Sequence, residues 1–260
     1  MIRALDSLAI SFGRSTRESV EWIGSLGLFL LRILKTIPFI LKKHHLVVEQ
    51  MMILGVTSIP IVVLTAVFTG LVSAWQVQYL FADAVPLTYL GAAVGKAVFT
   101  ELGPVLTALV VTGRVGAKLA AELGTMKVTE LVDAMVCLYL EPYSYLLAPR
   151  FLGATIMVPV LTIFSAFFSI ISAQLIAEHV LGLSFSDFYK GVRLLFRIQD
   201  VVVCMVKAFV FGAVIALCGC YYGFTTKGGA VGVGASTRKA VVAAMVLILI
   251  SNLIVVGLVL

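Results

Sequence analysis

Charge is scarce in this sequence. Only 12% of the 260 residues are Asp, Glu, Lys or Arg, 61% are apolar, and the mean hydropathy is +1.13. A soluble domain carries about 25% charged and about 45–50% apolar residues. The shortfall excludes a soluble globular protein and points to a polytopic membrane protein; no segment is polar enough to fold as a separate soluble domain. Cysteine is also scarce. Cys137, Cys204, Cys218 and Cys220 make no disulfide framework, and Cys218-Gly-Cys220 lacks the second ligand pair of a zinc site, so no metal is expected. Nucleotide and catalytic motifs are missing too. There is no G-x-x-x-x-G-K-[ST], Gly113-Arg-Val-Gly116-Ala-Lys118 has the wrong spacing, and neither H-E-x-x-H nor G-x-S-x-G occurs. With only Glu101 and Lys207 deep in apolar runs, an intramembrane enzyme would have no convergent catalytic set. The net charge of +6 is no sign of nucleic acid, because the placement of the charge carries more information than its sign.

The abundant apolar residues fall into five runs, each close to or above the roughly 20 residues that cross a bilayer core. They are 47–79, 87–113, 151–177, 201–223 and 240–260. Residues 1–45 read differently. Leu5, Leu8 and Phe12, then Trp22, Leu26, Phe29 and Ile33, recur at helical steps of three and four. The uncharged stretch from Trp22 to Leu31 is too short to span, and the long charged region before it, with no Ala-x-Ala after it, argues against a signal peptide. Basic ends (Arg14, Arg17, Arg32, Lys35) suit an interfacial helix with its apolar face in the acyl boundary. Pro38 is expected to end it, and Lys42-Lys43-His44-His45 reads as a solvated basic flank. The expected fold is therefore all-α: an interfacial N-terminal helix, five transmembrane helices, and an amphipathic connector, 114–150, between the second and third spans. Gly124 is expected to divide that connector, Thr129 to cap its second helix, and the Gly-rich stretch 227–238 to be a loop.

Lys and Arg orient the chain. With the N-terminus inside, segments 1–46, 114–150 and 224–239 hold 7, 4 and 3 basic residues, while outer loops 80–96 and 178–200 hold 1 and 3. The positive-inside rule then places the N-terminus in the cytoplasm and the C-terminus outside.

Within the second span the sequence ELGP sets a carboxylate, Glu101, beside Pro104. A buried carboxylate costs about 2.5–3.5 kcal/mol on insertion scales, so it is a functional candidate by default. Pro104 has no amide hydrogen and leaves the Thr100 carbonyl free. A carboxylate and a loosened backbone thus share one depth, and both need a neighbour or a watery cavity. Lys96, five residues away, lies on another side of the helix and reads as a snorkelling lysine. Lys207 lies inside the fourth span. Trp75 and Tyr79 have the character of interfacial anchors; Gln76 and Gln78 add polarity at that level, as a cavity mouth or as plain interfacial residues. Gly91 and Gly95 form a small-xxx-small pair that permits close helix approach.

The run ELGPVLTALVVTGRVGAKLAAELGTMKVTELVDAM, then EP, then APRF, resembles the MlaE/YrbE-type permeases of bacterial phospholipid ABC transporters. The likeness continues through VVVCMVKAFVFG and GAVGVGASTRKAVV and covers roughly residues 45–260. It implies a homodimeric permease subunit in the bacterial inner membrane, moving phospholipid and helping to maintain outer-membrane lipid asymmetry. It implies a coupling helix within the connector that docks on a separate ATPase subunit, which binds ATP and Mg; this chain would need no cofactor. Other implied partners are an Mce-domain lipid-binding protein on the outer side and a small cytoplasmic STAS-type subunit. The lipid would occupy a cavity between two permease chains, lined here by Glu101, Lys207, Gln76, Tyr79 and Leu102. Arg114, Glu122, Glu130 and Asp133 would help to dock the ATPase. Thr100 departs from relatives that carry a basic residue before the ELGP glutamate, which leaves Glu101 to find another partner. Glu101 and Lys207 either face the cavity or form a buried pair. A nucleotide-independent channel or secondary transporter is the competing reading, and the long connector argues against it; a membrane scaffold would leave Glu101 and Lys207 without a purpose.

Overall fold

Backbone amides and carbonyls inside hydrocarbon must be satisfied within the protein, and a helix does this within a single segment. A computed structural model, which describes residues 2–40, 44–81 and 86–259, has that solution throughout. The described residues are helical with short connections and contain no strand. The elements are α1 (Ile2–Ile40), α2 (His44–Leu54), α3 (Ile59–Phe81), α4 (Thr88–Ala97), α5 (Gly103–Val111), α6 (Ala117–Val128), α7 (Leu131–Cys137), α8 (Ala148–His179), α9 (Phe185–Leu195), α10 (Ile198–Phe224) and α11 (Gly229–Val259). Single π turns join α4 to α5 (Val98–Leu102) and α5 to α6 (Thr112–Gly116), and another leads into α8 (Tyr143–Leu147). Five continuous rods are long and apolar enough to cross a membrane: His44–Phe81, Thr88–Val128, Tyr143–His179, Ile198–Phe224 and Gly229–Leu258.

The rods overrun the boundaries expected from charge. Residues 114–128 do not begin a connector; they continue the second rod as α6. Their apolar positions Leu119, Ala120 and Leu123 are buried against α10 and α11, while Lys118, Glu122 and Lys127 take the other face. Gly124 does not divide this helix. A side chain there would crowd Thr226 and Val233, so the missing Cβ serves packing. Thr129 closes α6 by donating to the Thr125 carbonyl at 2.9 Å and does not cap α7. The connector proper is residues 129–142, with α7 inside it.

Most of the Gly-rich stretch is helix as well. Gly228 and Gly229 have φ of +89° and +67° and make the tight turn; from Gly229 onward the chain is α11. At the other end of the chain, α1 runs through Pro38 to Ile40. Its line Leu26, Phe29, Ile33 and Ile40 is buried, with Phe29 stacked among Tyr143, Tyr221 and Phe224. Ser25 and Tyr221 share a 2.7 Å hydrogen bond. The apolar stripe expected to face acyl chains therefore packs on the bundle, and it is the opposite side, including Ile23, Leu28, Leu31 and Leu34, that is exposed. The Leu5, Leu8, Phe12 and Arg14 side chains and Lys42-Lys43 lie outside the described residues.

Small residues set the closest crossings, as expected where helix association depends on van der Waals contact. Gly70 on α3 lies against the Ser169 carbonyl of α8, and Ser169 Oγ donates to the Ala66 carbonyl at 2.9 Å. Gly91 on α4 meets the Phe188 carbonyl of α9, and Gly191 on α9 meets the Thr88 carbonyl. Gly70→Leu should lower stability by about 1–3 kcal/mol through overpacking. Gly27→Ala, where nothing lies within 4 Å, should be neutral or raise it by about 0.5–1 kcal/mol. Thermal unfolding in detergent compares the two.

Candidate functional site

The site grows from Pro104. With no amide hydrogen on residue 104, the Thr100 carbonyl loses its helical partner. The helix answers with the π turn Val98–Leu102, in which the Gly103 amide donates to the Val98 carbonyl. Such π bulges favour functional positions because they turn backbone groups outward. Lys207, on α10, takes up the freed carbonyl: its Nζ donates to Thr100 O at 2.8 Å and to Glu101 Oε1 at 2.5 Å. Its side chain is 0% exposed, whereas that of Glu101 is 42% exposed. The second carboxylate oxygen accepts from Asn252 Nδ2 on α11 at 3.0 Å. Three rods therefore meet at one carboxylate.

One to two turns away the same two rods carry a second pair. Lys96 Nζ lies 3.6 Å from Asp200 Oδ1, and Asp200 Oδ2 accepts from the Arg197 amide at 3.1 Å, closing the start of α10. Lys96 is thus an ion-pair partner of the fourth rod. Gln76 and Leu102 come together with Thr69, Ser73 and Leu106 around a cavity of about 340 Å³ between α3 and α5. Tyr79 does not join them; it is exposed on α3, as is Trp75. Asn252 was not singled out from the sequence. Its signal was there, as the one amide side chain in the last apolar run, but an uncharged polar residue is a much weaker cue than a buried charge.

The residues expected to face an ATPase are scattered. Glu122 is held within the chain: Arg150, itself buried, approaches its Oε2 at 3.5 Å, and Lys118 its Oε1 at 3.8 Å. Asp133 accepts from Lys127 at 2.8 and 3.1 Å. Glu130 is exposed, at φ +59°, where it starts α7. Arg114 is exposed on the π turn, eight residues before Glu122 and about 12 Å along the axis at 1.5 Å per residue. It does not join the connector. More evident at this end is an exposed apolar group, Leu131, Val136, Leu138 and Tyr139, the last 100% exposed at φ +61°.

Five rods of membrane-spanning length with a polar cluster where three of them meet are consistent with a multi-span membrane permease. Comparison with known proteins agrees. The family described as Permease MlaE matches residues 47–258. A probable ABC transporter permease protein of Synechocystis sp. is 41% identical over 78% of each chain. Another, of Rickettsia typhi, is 36% identical over 91% of this chain and 92% of its own. A third, of Pyropia yezoensis, is 33% identical over 91% of both. The chain belongs to the MlaE-type family of ABC transporter permeases; it is a transport subunit and not an enzyme.

The burial of Lys207 makes its pair asymmetric. Glu101→Ala leaves a fully enclosed ammonium without its counter-charge and should cost about 3–5 kcal/mol. Lys207→Met leaves a carboxylate that is already half exposed, so its cost should be smaller, about 1–3 kcal/mol. The double variant should fall short of the sum by about 0.5–3 kcal/mol of coupling. Unfolding midpoints of the three variants in detergent check this; strict additivity would mean that the pair contributes nothing as a pair.

Proposed function

We propose that this chain is one half of a homodimeric permease that moves phospholipid under the drive of a separate ATPase, with the lipid head group received beside Glu101. The observation that carries this is the half-exposed carboxylate. Glu101 lies within the second rod, its side chain is 42% exposed among the described residues, and its neighbour Leu102 lines an open cavity with Gln76. A charge at membrane depth must meet protein, water or a polar ligand, so this face fits a cavity closed by a second copy. Lys207 then acts by holding Glu101 and the π turn in position, and Tyr79 stands at the outer rim. The N-terminus and residues 129–142 lie in the cytoplasm and the C-terminus on the opposite side, in a bacterial inner membrane; α1 rests at the interface with its exposed face in lipid. An Mce-domain protein on the outer side and a small STAS-type subunit inside complete the assembly, which maintains outer-membrane lipid asymmetry.

The connector supplies the drive. An exposed apolar group on a segment outside the spanning rods has the character of a protein contact, and Leu131, Val136, Leu138 and Tyr139 provide one, flanked by Glu130 and Asp133. ATP and Mg belong to the docked subunit. Glu122 supports this surface from within through Arg150, and Arg114, too far along the rod to touch it, serves the membrane half.

Two experiments test the reading. The chain purified gently from its own membrane should carry an ATP-binding-cassette subunit and phospholipid, identified by mass spectrometry. Leu138→Asp with Tyr139→Asp should cut recovery of the ATPase about tenfold, matching about 1.4 kcal/mol or more of lost contact, without changing elution of the chain itself. Glu101→Ala and Lys207→Ala in folded, ATPase-loaded complex should lower lipid transfer between labelled vesicles by at least about tenfold, the same increment. Full-rate transfer by both would remove Glu101 and Lys207 from the mechanism.

A further inference from the structure

A groove of about 670 Å³ runs between α1 and α11 and shares no lining residue with the α3–α5 cavity beside Leu102. Its walls are almost wholly apolar, with Val242, Val246 and Ile250 in line along α11. Arg238 and Lys239 stand at one end, both exposed and without an ion pair among the described residues. Among the described residues, no acidic side chain lines the groove. Trp22 of α1 also lines it, and its Nε1 is buried short of a proper hydrogen bond, with the Tyr222 hydroxyl as its nearby polar group.

We infer that this groove binds one anionic phospholipid from the leaflet on the basic side of the membrane, with its phosphate on Arg238 and Lys239 and an acyl chain along Val242, Val246 and Ile250. Two observations select that occupant. The first is length. From Arg238 to Ile250 is twelve residues, about 18 Å of helix, and half of a roughly 30 Å hydrocarbon core is about 15 Å. The apolar wall is therefore one leaflet deep, with the cations at its head-group end. The second is chemistry. Basic pockets between helices attract anionic head groups, and an amphipathic ring such as Trp22 suits that level. A helix from another protein would need neither the paired cations nor a wall that stops after one leaflet. Because α1 supplies one side of the groove, the lipid fastens α1 to the fifth rod. This site is separate from Glu101 and does not rest on the transport reading.

The test uses the full chain in phosphatidylcholine vesicles doped with phosphatidylglycerol carrying a diazirine in its acyl chain. Illumination followed by peptide mapping should place label on the peptides containing Val242–Ile250 and Trp22–Ile23. A phosphatidylcholine probe of the same acyl structure should label them about thirtyfold less, since each of the two basic residues contributes about 1 kcal/mol toward an anionic lipid. Arg238→Gln with Lys239→Gln should erase that preference, and Ala243→Trp, which fills the groove, should remove label by either probe while the elution profile stays unchanged. If the charge variant does not fold, the unaltered chain still decides, because high salt should collapse the preference. Equal labelling by both probes at low salt overturns the proposal. So does an unlabelled groove in folded chain, or a Val242→Cys disulfide between two copies that excludes the probe, since a second copy would then be the occupant.

Discussion

The structure depends on one buried ammonium. Lys207 is fully enclosed, so its Nζ donors depend on acceptors that reach them within the protein. It finds two, the Thr100 carbonyl and Glu101, and both exist because of Pro104. Were residue 104 able to donate, the helix would reclaim Thr100 O. The π turn would lose its reason, and Glu101 would rotate relative to the fourth rod. Asn252 then draws in the fifth rod through the other carboxylate oxygen. A single missing amide hydrogen thus organises the meeting of three helices.

The second ion pair fixes how those helices slide. Along the second rod the cation Lys96 precedes the anion Glu101; along the fourth the anion Asp200 precedes the cation Lys207. The two rods run in the same direction, so this opposed order matches charges in one register only. A displacement that set Lys207 beside Lys96 would place like charges together and strip both anions of partners. Buried polar pairs are best attested in this role of specifying one arrangement. The glycine crossings do the complementary work: Gly70, Gly91 and Gly191 let backbones approach and gain contact area that lipid tails cannot match, while specifying register only weakly.

What could be read from the sequence divides along the same physical line. The free Thr100 carbonyl was legible because proline chemistry is local, acting four residues back on the same helix. Five spans and an all-α fold were legible because hydropathy is summed over about 20 residues. Lys207 stood out as a cation among apolar neighbours. Its pairing with Glu101 was one of two alternatives the sequence left open, since the rotation of one rod about another leaves no mark on either sequence segment. The helix ends were misread for a related reason. Lys118 and Glu122 signalled the end of a span, yet Leu119 and Leu123 on the opposite face continue it against α10 and α11. Glycines at 227–238 signalled a loop, but only Gly228 and Gly229 use the left-handed freedom of glycine; the others are small residues in a helix. For α1, periodicity located the apolar stripe correctly but could not say whether lipid or protein would receive it.

The polar cluster is incomplete in a particular way. Lys207 donates to Thr100 O and Glu101, and Asn252 Nδ2 donates to Glu101. Acceptor capacity remains at the exposed edge of Glu101 and at the buried Asn252 Oδ1, which has no hydrogen-bond partner among the described residues. A group that donates hydrogen bonds, as an ammonium, a hydroxyl or water does, would satisfy these acceptors. The groove between α1 and α11 has the opposite character, with two cations and Trp22 in its lining and no carboxylate among the described residues that line it. The chain thus presents two polar stations of different character: an ion pair with acceptor capacity to spare, and a cationic stretch beside an apolar groove.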